Sequence, residues 1–414
     1  MSLFISLFSL FFLLSCAPIS EPVDIDFHIA NPSFVMNYDK NFYVLNSNAL
    51  KKYKTGSVIA LNENGDIWGA VPVDNGGTSM VRIEDLLAIS FCPEQNHSYI
   101  NLYRLNENGL PLTETFKSLS LLSLLGNRFG DISHTDEQRP RIKEMFLTKG
   151  NDGTFHLVLE LGGASKVDGI VFAKLSSQGD LIDHFNLEET FGKLNDDKLA
   201  EIFPIKAEKP VYIGDNKYLI ISQGKNVRTK DLNGYRYLAN PLEIESNPIS
   251  TYYLLKNIPG LRAGVWDPVN NSFVVLKSQF KDNKTLNGAV ERFSGLYDLF
   301  ETTQLSEQNT TLKGEILNNS IPADYLEKVL FSKIDQNSLF WASYKEGPRR
   351  KENVYLHALN FKSPTEIPTV KFSHEGTVSI AQSGNLFLGA SYIENSLELW
   401  SYSPEKHFSK LWEK

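Results

Sequence analysis

The chain has 414 residues and a formal net charge of -8, so it carries no general attraction for nucleic acid or anionic lipid. Its composition, 42% hydrophobic and 22% charged, is that of a globular chain with a sizeable core and excludes a disordered one. Only two cysteines occur, Cys16 and Cys92, which excludes a disulfide-framed scaffold.

In chain order, the first predicted element is an apolar leader. Leu3 to Leu14 is Leu, Phe and Ile, broken only by Ser6 and Ser9. That is too short to span a bilayer as a helix, which needs about 20 apolar residues, but it has the length of a signal-peptide core. The run ends at Leu13-Leu14-Ser15-Cys16. This resembles a bacterial lipobox, with Leu three residues before the cysteine and a small residue directly before it. The resemblance implies that residues 1–15 are removed and that Cys16 receives a diacylglycerol and becomes the new N-terminus. No Lys or Arg precedes Lys40, so the positive charge usual at the start of such a leader is missing. An ordinary signal peptide is the alternative. Residues 16–33 then read as a lipidated N-terminus and polar tether, and 34–414 as the folded domain. Ala17, with no Asp after the cysteine, points to the outer membrane under the enteric sorting rule.

Beyond residue 34, long helical stripes are rare and short strand-like runs dominate. A turn residue followed by an apolar strand recurs seven times, with anchors at Phe42, Leu86, Phe155, Tyr218, Phe273, Leu339 and Leu386. The anchors lie 44, 69, 63, 55, 66 and 47 residues apart, against the roughly 40 to 50 that one four-stranded propeller blade needs. A second half-motif follows in most copies. Residues 57–68 (SVIALNENGDIW) and 99–112 (YINLYRLNENGLPL) share Leu-Asn-Glu-Asn-Gly, and 169–183 (GIVFAKLSSQGDLID) has the same shape. Weaker echoes lie at Tyr297-Asp298-Leu299, His357-Ala358-Leu359 and Trp400-Ser401-Tyr402, and a late one at 250–260 (STYYLLKNIPG). The glycine of such a turn supplies the positive φ a tight hairpin needs. An all-β fold follows, a β-propeller of seven blades of four antiparallel strands with loop or short-helix insertions. Six or eight blades, or a pair of β-sandwiches, are the competing parses. In architecture the chain resembles bacterial lipoproteins that carry a β-propeller behind a lipid anchor. Trp266-Asp267 and the pairs Gly76-Gly77 and Gly162-Gly163 do not recur at the blade period, so no WD40 or kelch assignment follows.

Insertions hold the candidate sites, because loops on rigid scaffolds carry function. Residues 117–141 contain Leu119, Leu121, Leu122, Leu124 and Leu125, then Arg128, Asp131, His134, Asp136, Glu137, Arg139 and Arg141. Of these, Leu121, Leu122, Leu125, Arg128, His134 and Asp136 are the candidate partner-binding residues. A short helix packed on a blade is the competing reading. His134 and Asp136 lack a third spaced ligand, so no metal is expected. Residues 187–203 read as a short amphipathic helix. Residues 225–247 read as a loop in which Arg228, Lys230 and Arg236 interleave with Tyr235 and Tyr237, suited to a glycan or peptide. The charged run at 347–351 reads as a hairpin tip. Cys92 reads as a small apolar strand residue.

The nucleophile-elbow, dinucleotide, phosphate-loop, Cys-x-x-Cys and His-Glu-x-x-His patterns do not occur. The functional expectation is a non-enzymatic, lipid-anchored envelope propeller that binds a protein or glycan, with no cofactor and no nucleic-acid partner. The alternative is a carbohydrate-active propeller enzyme, a glycoside hydrolase or lyase. For the anchor, Cys16→Ala should leave an unprocessed or released protein and abolish metabolic lipid labelling; labelling unchanged by the substitution would refute it.

Overall fold

The computed structural model describes residues 32–47, 55–92, 98–125, 141–150, 152–162, 169–186, 206–214, 217–223, 233–239, 253–281, 284–294, 314–326, 328–335, 337–346, 352–372, 378–391 and 394–414. These form seven four-stranded sheets, each an antiparallel meander of consecutive strands. Blade 1 is β1 (Pro32–Tyr38), β2 (Asn41–Asn46), β3 (Thr55–Leu61) and β4 (Ile67–Asp74). Blade 2 is β5 (Gly77–Ile83), β6 (Leu86–Phe91), β7 (Tyr99–Arg104) and β8 (Lys117–Ser120), followed by a one-turn helix α1 (Leu121–Leu125). Blade 3 is β9 (Arg141–Lys149), β10 (Phe155–Gly162), β11 (Gly169–Leu175) and β12 (Leu181–Asn186). Blade 4 is β13 (Lys206–Gly214), β14 (Lys217–Gln223), β15 (Asn233–Ala239) and β16 (Tyr253–Pro259). Blade 5 is β17 (Leu261–Asp267), β18 (Ser272–Lys281), β19 (Lys284–Ser294) and β20 (Gly314–Pro322). Blade 6 is β21 (Lys328–Asp335), β22 (Ser338–Glu346), β23 (Glu352–Asn360) and β24 (Thr369–Phe372). Blade 7 is β25 (Val378–Ser383), β26 (Leu386–Ser391), β27 (Ser396–Ser403) and β28 (His407–Glu413). The chain is a seven-bladed β-propeller.

All seven anchors fall on the second strand of their blade. Of these, β2 and β6 are apolar on both faces because both faces are covered. In β2, Phe42 and Val44 pack toward blade 7, while Tyr43 and Leu45 pack toward blade 2. In β6, Leu87 and Ile89 face blade 1, and Leu86 and Ala88 face blade 3. Period-two alternation therefore sorts apolar side chains between two seams, and the strand reads as a continuous greasy run.

First strands of neighbouring blades approach one another, β1 with β5, β5 with β9, β13 with β17, β17 with β21 and β25 with β1. They are the inner strands, and they share one polarity. Near their starts, Ser33 Oγ donates to the Gly77 carbonyl at 2.9 Å. Near their ends, Lys149 pairs with Glu84 at 2.7 Å and Ser383 Oγ donates to the Asp39 carbonyl at 3.3 Å. The ring thus has a start end and, opposite it, a turn end carrying the hairpins after the first and third strands.

The Asn-Glu-Asn-Gly segments are those turns. Asn62 Oδ1 accepts from the amides of Asn64 and Asp66 at 2.9 Å each, with Gly65 at φ 83°. Asn106 does the same for Asn108 and Leu110 at 3.0 Å, and Ser176 Oγ for Gln178 and Asp180 at 3.1 Å. Each turn docks on the fourth strand of the preceding blade at one equivalent position. Gly65 lies on the Trp412 ring, Leu110 on Gly69, and Gly179 on Lys117, Phe116 and Leu102. Gly69, Lys117 and Trp412 are the register partners of Ala60, Leu102 and Leu399. Arg104 reaches across a seam to the Ser177 carbonyl at 2.8 Å, and Lys414 to that of Gly65. The repeated motif is a latch between blades.

Three sequence expectations change. Residues 225–247 are not one loop, since they contain β15, where Tyr235 and Tyr237 alternate with Arg236 as in a strand. The echo at 250–260 holds the fourth strand of blade 4 and not its third. The third strand of blade 5 is β19, and Tyr297-Asp298-Leu299 lies outside the described residues, as do 187–203 and 347–351.

Gly65 and Gly153 both have positive φ, at 83° and 80°, but only Gly65 faces a neighbour, since a Cβ at Gly153 meets nothing within 4 Å. Gly153→Ala should cost about 1 kcal/mol of backbone strain. Gly65→Ala should cost clearly more, by about 1–3 kcal/mol of forced repacking. Equal losses in denaturant titrations would mean that the latch does not bear on the seam.

Candidate functional site

Of the sequence-predicted residues, Cys16, Arg128, His134 and Asp136 lie outside the described residues. Leu121, Leu122 and Leu125 lie on α1. Leu121 and its neighbour Leu124 are each 1% exposed, packed with Leu102, Leu119, Met145 and Val171 between blades 2 and 3. The expected exposure fails for Leu121, because the helix plugs a seam that two adjacent sheets leave open, and Leu121 drops out as a partner-binding residue. Cys92 directly follows β6, where its amide donates to the Gly76 carbonyl at 3.0 Å.

A different surface stands out at the turn end, where blades 1 and 2 meet. β4 leaves Ile67 41% and Trp68 37% exposed, and the latch turn of blade 2 leaves Leu112 48% exposed. The two come from adjoining segments, since Leu110 sits on Gly69, the residue after Trp68. Trp68 is held edge-on to Tyr43, with ring centroids 6.4 Å apart at 80°. Tyr43 is pinned in turn by Arg82, whose Nη1 donates to its hydroxyl at 2.8 Å and to the Gly109 carbonyl at 3.3 Å. The guanidinium also lies 3.8 Å over the Tyr38 ring. Burial raises the Tyr43 phenol above its ordinary pKa while Arg82 pulls it back, so it stays a neutral donor. Trp68 is therefore a rigid aromatic at a surface, and Glu63, Asp66, Glu107 and Glu114 lie on the two adjoining turns.

A second constellation has the form of a catalytic pair. Ser343 Oγ lies 2.9 Å from His357 Nε2, and His357 Nδ1 lies 3.0 Å from Thr369 Oγ1. Thr369 donates its own proton to the Ile367 carbonyl at 3.2 Å. It therefore accepts from Nδ1–H, and Nε2 is left to accept from the Ser343 hydroxyl. The orientation suits a general base, but both residues are buried, and the ring is stacked on Tyr325 at 4.3 Å and Trp341 at 5.0 Å. No substrate reaches the hydroxyl, and the third partner is a threonine where charge stabilisation would need a carboxylate. Burial pushes the His357 pKa down to about 3, with Asp324 opposing, so the group is a satisfied core network. Among the described residues no three His, Cys, Asp or Glu side chains gather where they could hold a metal ion.

Neither Trp68 nor His357 was selected by sequence reasoning. Trp68 had a usable signal, a large aromatic three residues after a latch glycine at the head of an outer strand. His357 had none, since its partners come from two other strands.

No family model matches the chain, and no curated protein matches it. Solved structures do. A putative 6-phosphogluconolactonase from Bacteroides fragilis aligns at 10% identity and TM-score 0.52, over 91% of this chain and 94% of its own. A complex of KlAtg21 with the coiled coil of AgAtg16 aligns at 10% identity and TM-score 0.52, over 93% and 99%. The β-propeller domain of the Trilobed protease from Pyrococcus furiosus, described as having an open velcro topology, aligns at 11% identity and TM-score 0.49, over 92% and 98%. At such identities the likeness concerns the fold alone.

His357 titrates near 3 folded and near 6.5 unfolded. Protons therefore favour the unfolded chain. The contribution is intact above pH 6.5 and is lost as pH falls toward 3, at about 1.4 kcal/mol per pH unit. Melting temperature should fall more steeply between pH 6.5 and 5 in the native chain than in His357→Gln, although the variant starts lower at pH 7. Parallel curves would contradict the assignment.

Proposed function

We propose that this propeller is a binding module of the bacterial envelope, tethered by lipid at Cys16, and that it takes a macromolecular partner on its turn end. The supporting observation is Trp68. An aromatic that size is normally covered, and here a fixed ring stands at the surface with Ile67 and Leu112 on adjoining segments. Apolar anchors beside a polar rim are the anatomy of a protein interface, and Trp is among the residues that most often dominate its energy. Carboxylates on both turns favour a partner face that carries lysine or arginine. Structures of this shape include a putative 6-phosphogluconolactonase and a protein solved in complex with a coiled coil, so the reading rests on the surface and not on the fold. The enzymatic alternative would need an accessible catalytic group, and the Ser343–His357 pair is sealed.

The test begins with a partner captured from envelope extracts by the full chain and identified by mass spectrometry. Trp68→Ala should weaken its binding by about 30-fold or more, the effect of losing at least 2 kcal/mol at a hot spot, with little change in melting temperature. Undiminished affinity in Trp68→Ala and Leu112→Ser would remove this surface from the account.

A further inference from the structure

Four large apolar side chains repeat one exposed position on four successive blades. In blade 1 it is Trp68, left out of the ladder by a β-bulge, since Leu61 pairs with Ile67 and Ala60 with Gly69. Ile182 is left out in the same way between Leu181 and Asp183 in blade 3, and Leu411 between Lys410 and Trp412 in blade 7. They are 52% and 51% exposed. Leu112 of blade 2 follows its turn glycine by three residues, as Trp68 and Ile182 follow theirs. A bulge does not by itself force such exposure, because Leu317, the residue left out in blade 5, packs against the core. The latches string the four positions together. Gly65, three residues before Trp68, lies on Trp412, the neighbour of Leu411. Leu110, two before Leu112, lies on Gly69, the neighbour of Trp68, and Gly179, three before Ile182, lies on Phe116, four after Leu112. The result is an apolar track along the outer strands at the turn end, from blade 7 through blades 1 and 2 to blade 3. Residues 62–68, 105–116 and 176–183, which carry it through blades 1 to 3, hold six carboxylates and no lysine or arginine. Glu63, Asp66, Glu107 and Glu114 are exposed, while Asp180 is paired with Lys117.

We infer that this track holds an extended, basic segment of a partner chain, with an apolar side chain every three to five residues. The inference rests on the turn-end reading above and names the form its partner takes. Curvature decides that form. Seven radial blades turn successive outer strands by about 50°, so a straight helix touches at most two neighbouring stations, whereas the track runs over four. An extended chain bends at every residue and can follow it. Packed sheets lie about 10 Å apart and diverge toward the rim, and a strand advances about 3.3 Å per residue, so neighbouring stations need at least about three residues. Addition of the segment as a fifth strand is disfavoured, because the bulges interrupt the outer edge at the stations themselves. Side chains therefore carry the recognition, apolar ones at the stations and lysine or arginine against the carboxylates between them. Those carboxylates also disfavour a lipid surface, which would strip their water without pairing them.

The experiment is selection of linear 16-residue peptides from a random phage-displayed library on the full chain at low salt, followed by titration of the selected peptides. They should be rich in lysine or arginine, with apolar residues three to five apart, and their affinity should fall as salt rises. Ile182→Ser and Leu411→Ser should each weaken binding about 5-fold, and Glu63→Lys with Glu107→Lys more than 10-fold, at unchanged melting temperatures. Val269→Ser and Ile316→Ser, at exposed apolar positions off the track, should leave it unchanged. Proline placed midway in a selected peptide should change its affinity less than about 2-fold, since an extended chain has no helical hydrogen bond to lose there. Loss to Trp68→Ala without loss to Ile182→Ser or Leu411→Ser would overturn the track and leave the turn-end interface standing. Affinity abolished by proline, binding of phosphatidylcholine vesicles that outcompetes every peptide, equal loss in the off-track variants, or no selected peptide that responds to the track variants would each overturn the inference. The turn-end interface itself stands or falls separately, on the response of the captured partner to Trp68→Ala.

Discussion

Everything in this molecule depends on closing a ring of seven sheets, and among the described residues no strand is shared between blades. Each blade is contiguous in sequence, and among those residues β1 pairs with β2 alone, so no main-chain ladder of theirs joins the first blade to the last. Side chains must supply closure. Val35, Phe42, Val44, Ile59 and Leu61 of blade 1 pack with Ala381, Leu388, Ala390, Leu397 and Leu399 of blade 7. The Val35 amide donates to Ser379 Oγ at 3.1 Å, and Gly65 rests on Trp412. Burial at roughly 25 cal/mol per Å² is non-directional, so the polar contacts and the latch set the register in which that apolar surface meets.

Closure also fixes where function can reside. A blade inside the ring has both faces occupied, which leaves the two ends and the outer strands to meet ligands. Three latches, at the seams 7 to 1, 1 to 2 and 2 to 3, hold the turn end of these blades rigid. The same latch that seats Leu110 on Gly69 brings the exposed Leu112 and Trp68 onto adjoining segments.

The fold was legible in the sequence because its determinants are local and repeated. Doubly covered second strands must read as apolar runs, and a turn that docks on the same strand position in successive blades keeps its Asn-x-x-Gly or Ser-x-x-Gly form. Where the repeat is degenerate the parse slipped. In blade 4, charged residues around β15 hid its alternation, and β16 took the place of the third strand. The sites were less legible for a physical reason. Five leucines between 119 and 125 say that something will be buried, not whether a partner or the next blade buries them; for Leu119, Leu121 and Leu124 the next blade does. The Ser343–His357 pair is a product of topology, invisible before strand order is known.

Native-state hydrogen exchange followed by mass spectrometry tests the closure account most directly. If side-chain packing closes the ring as firmly as the other seams, peptides from β1 and β26 will exchange as slowly as those from β6 and β10, and will lose protection together with them as denaturant is raised. Early exchange confined to blades 1 and 7, with the middle blades still protected, would show that the ring opens at this seam and that the contacts described here do not close it.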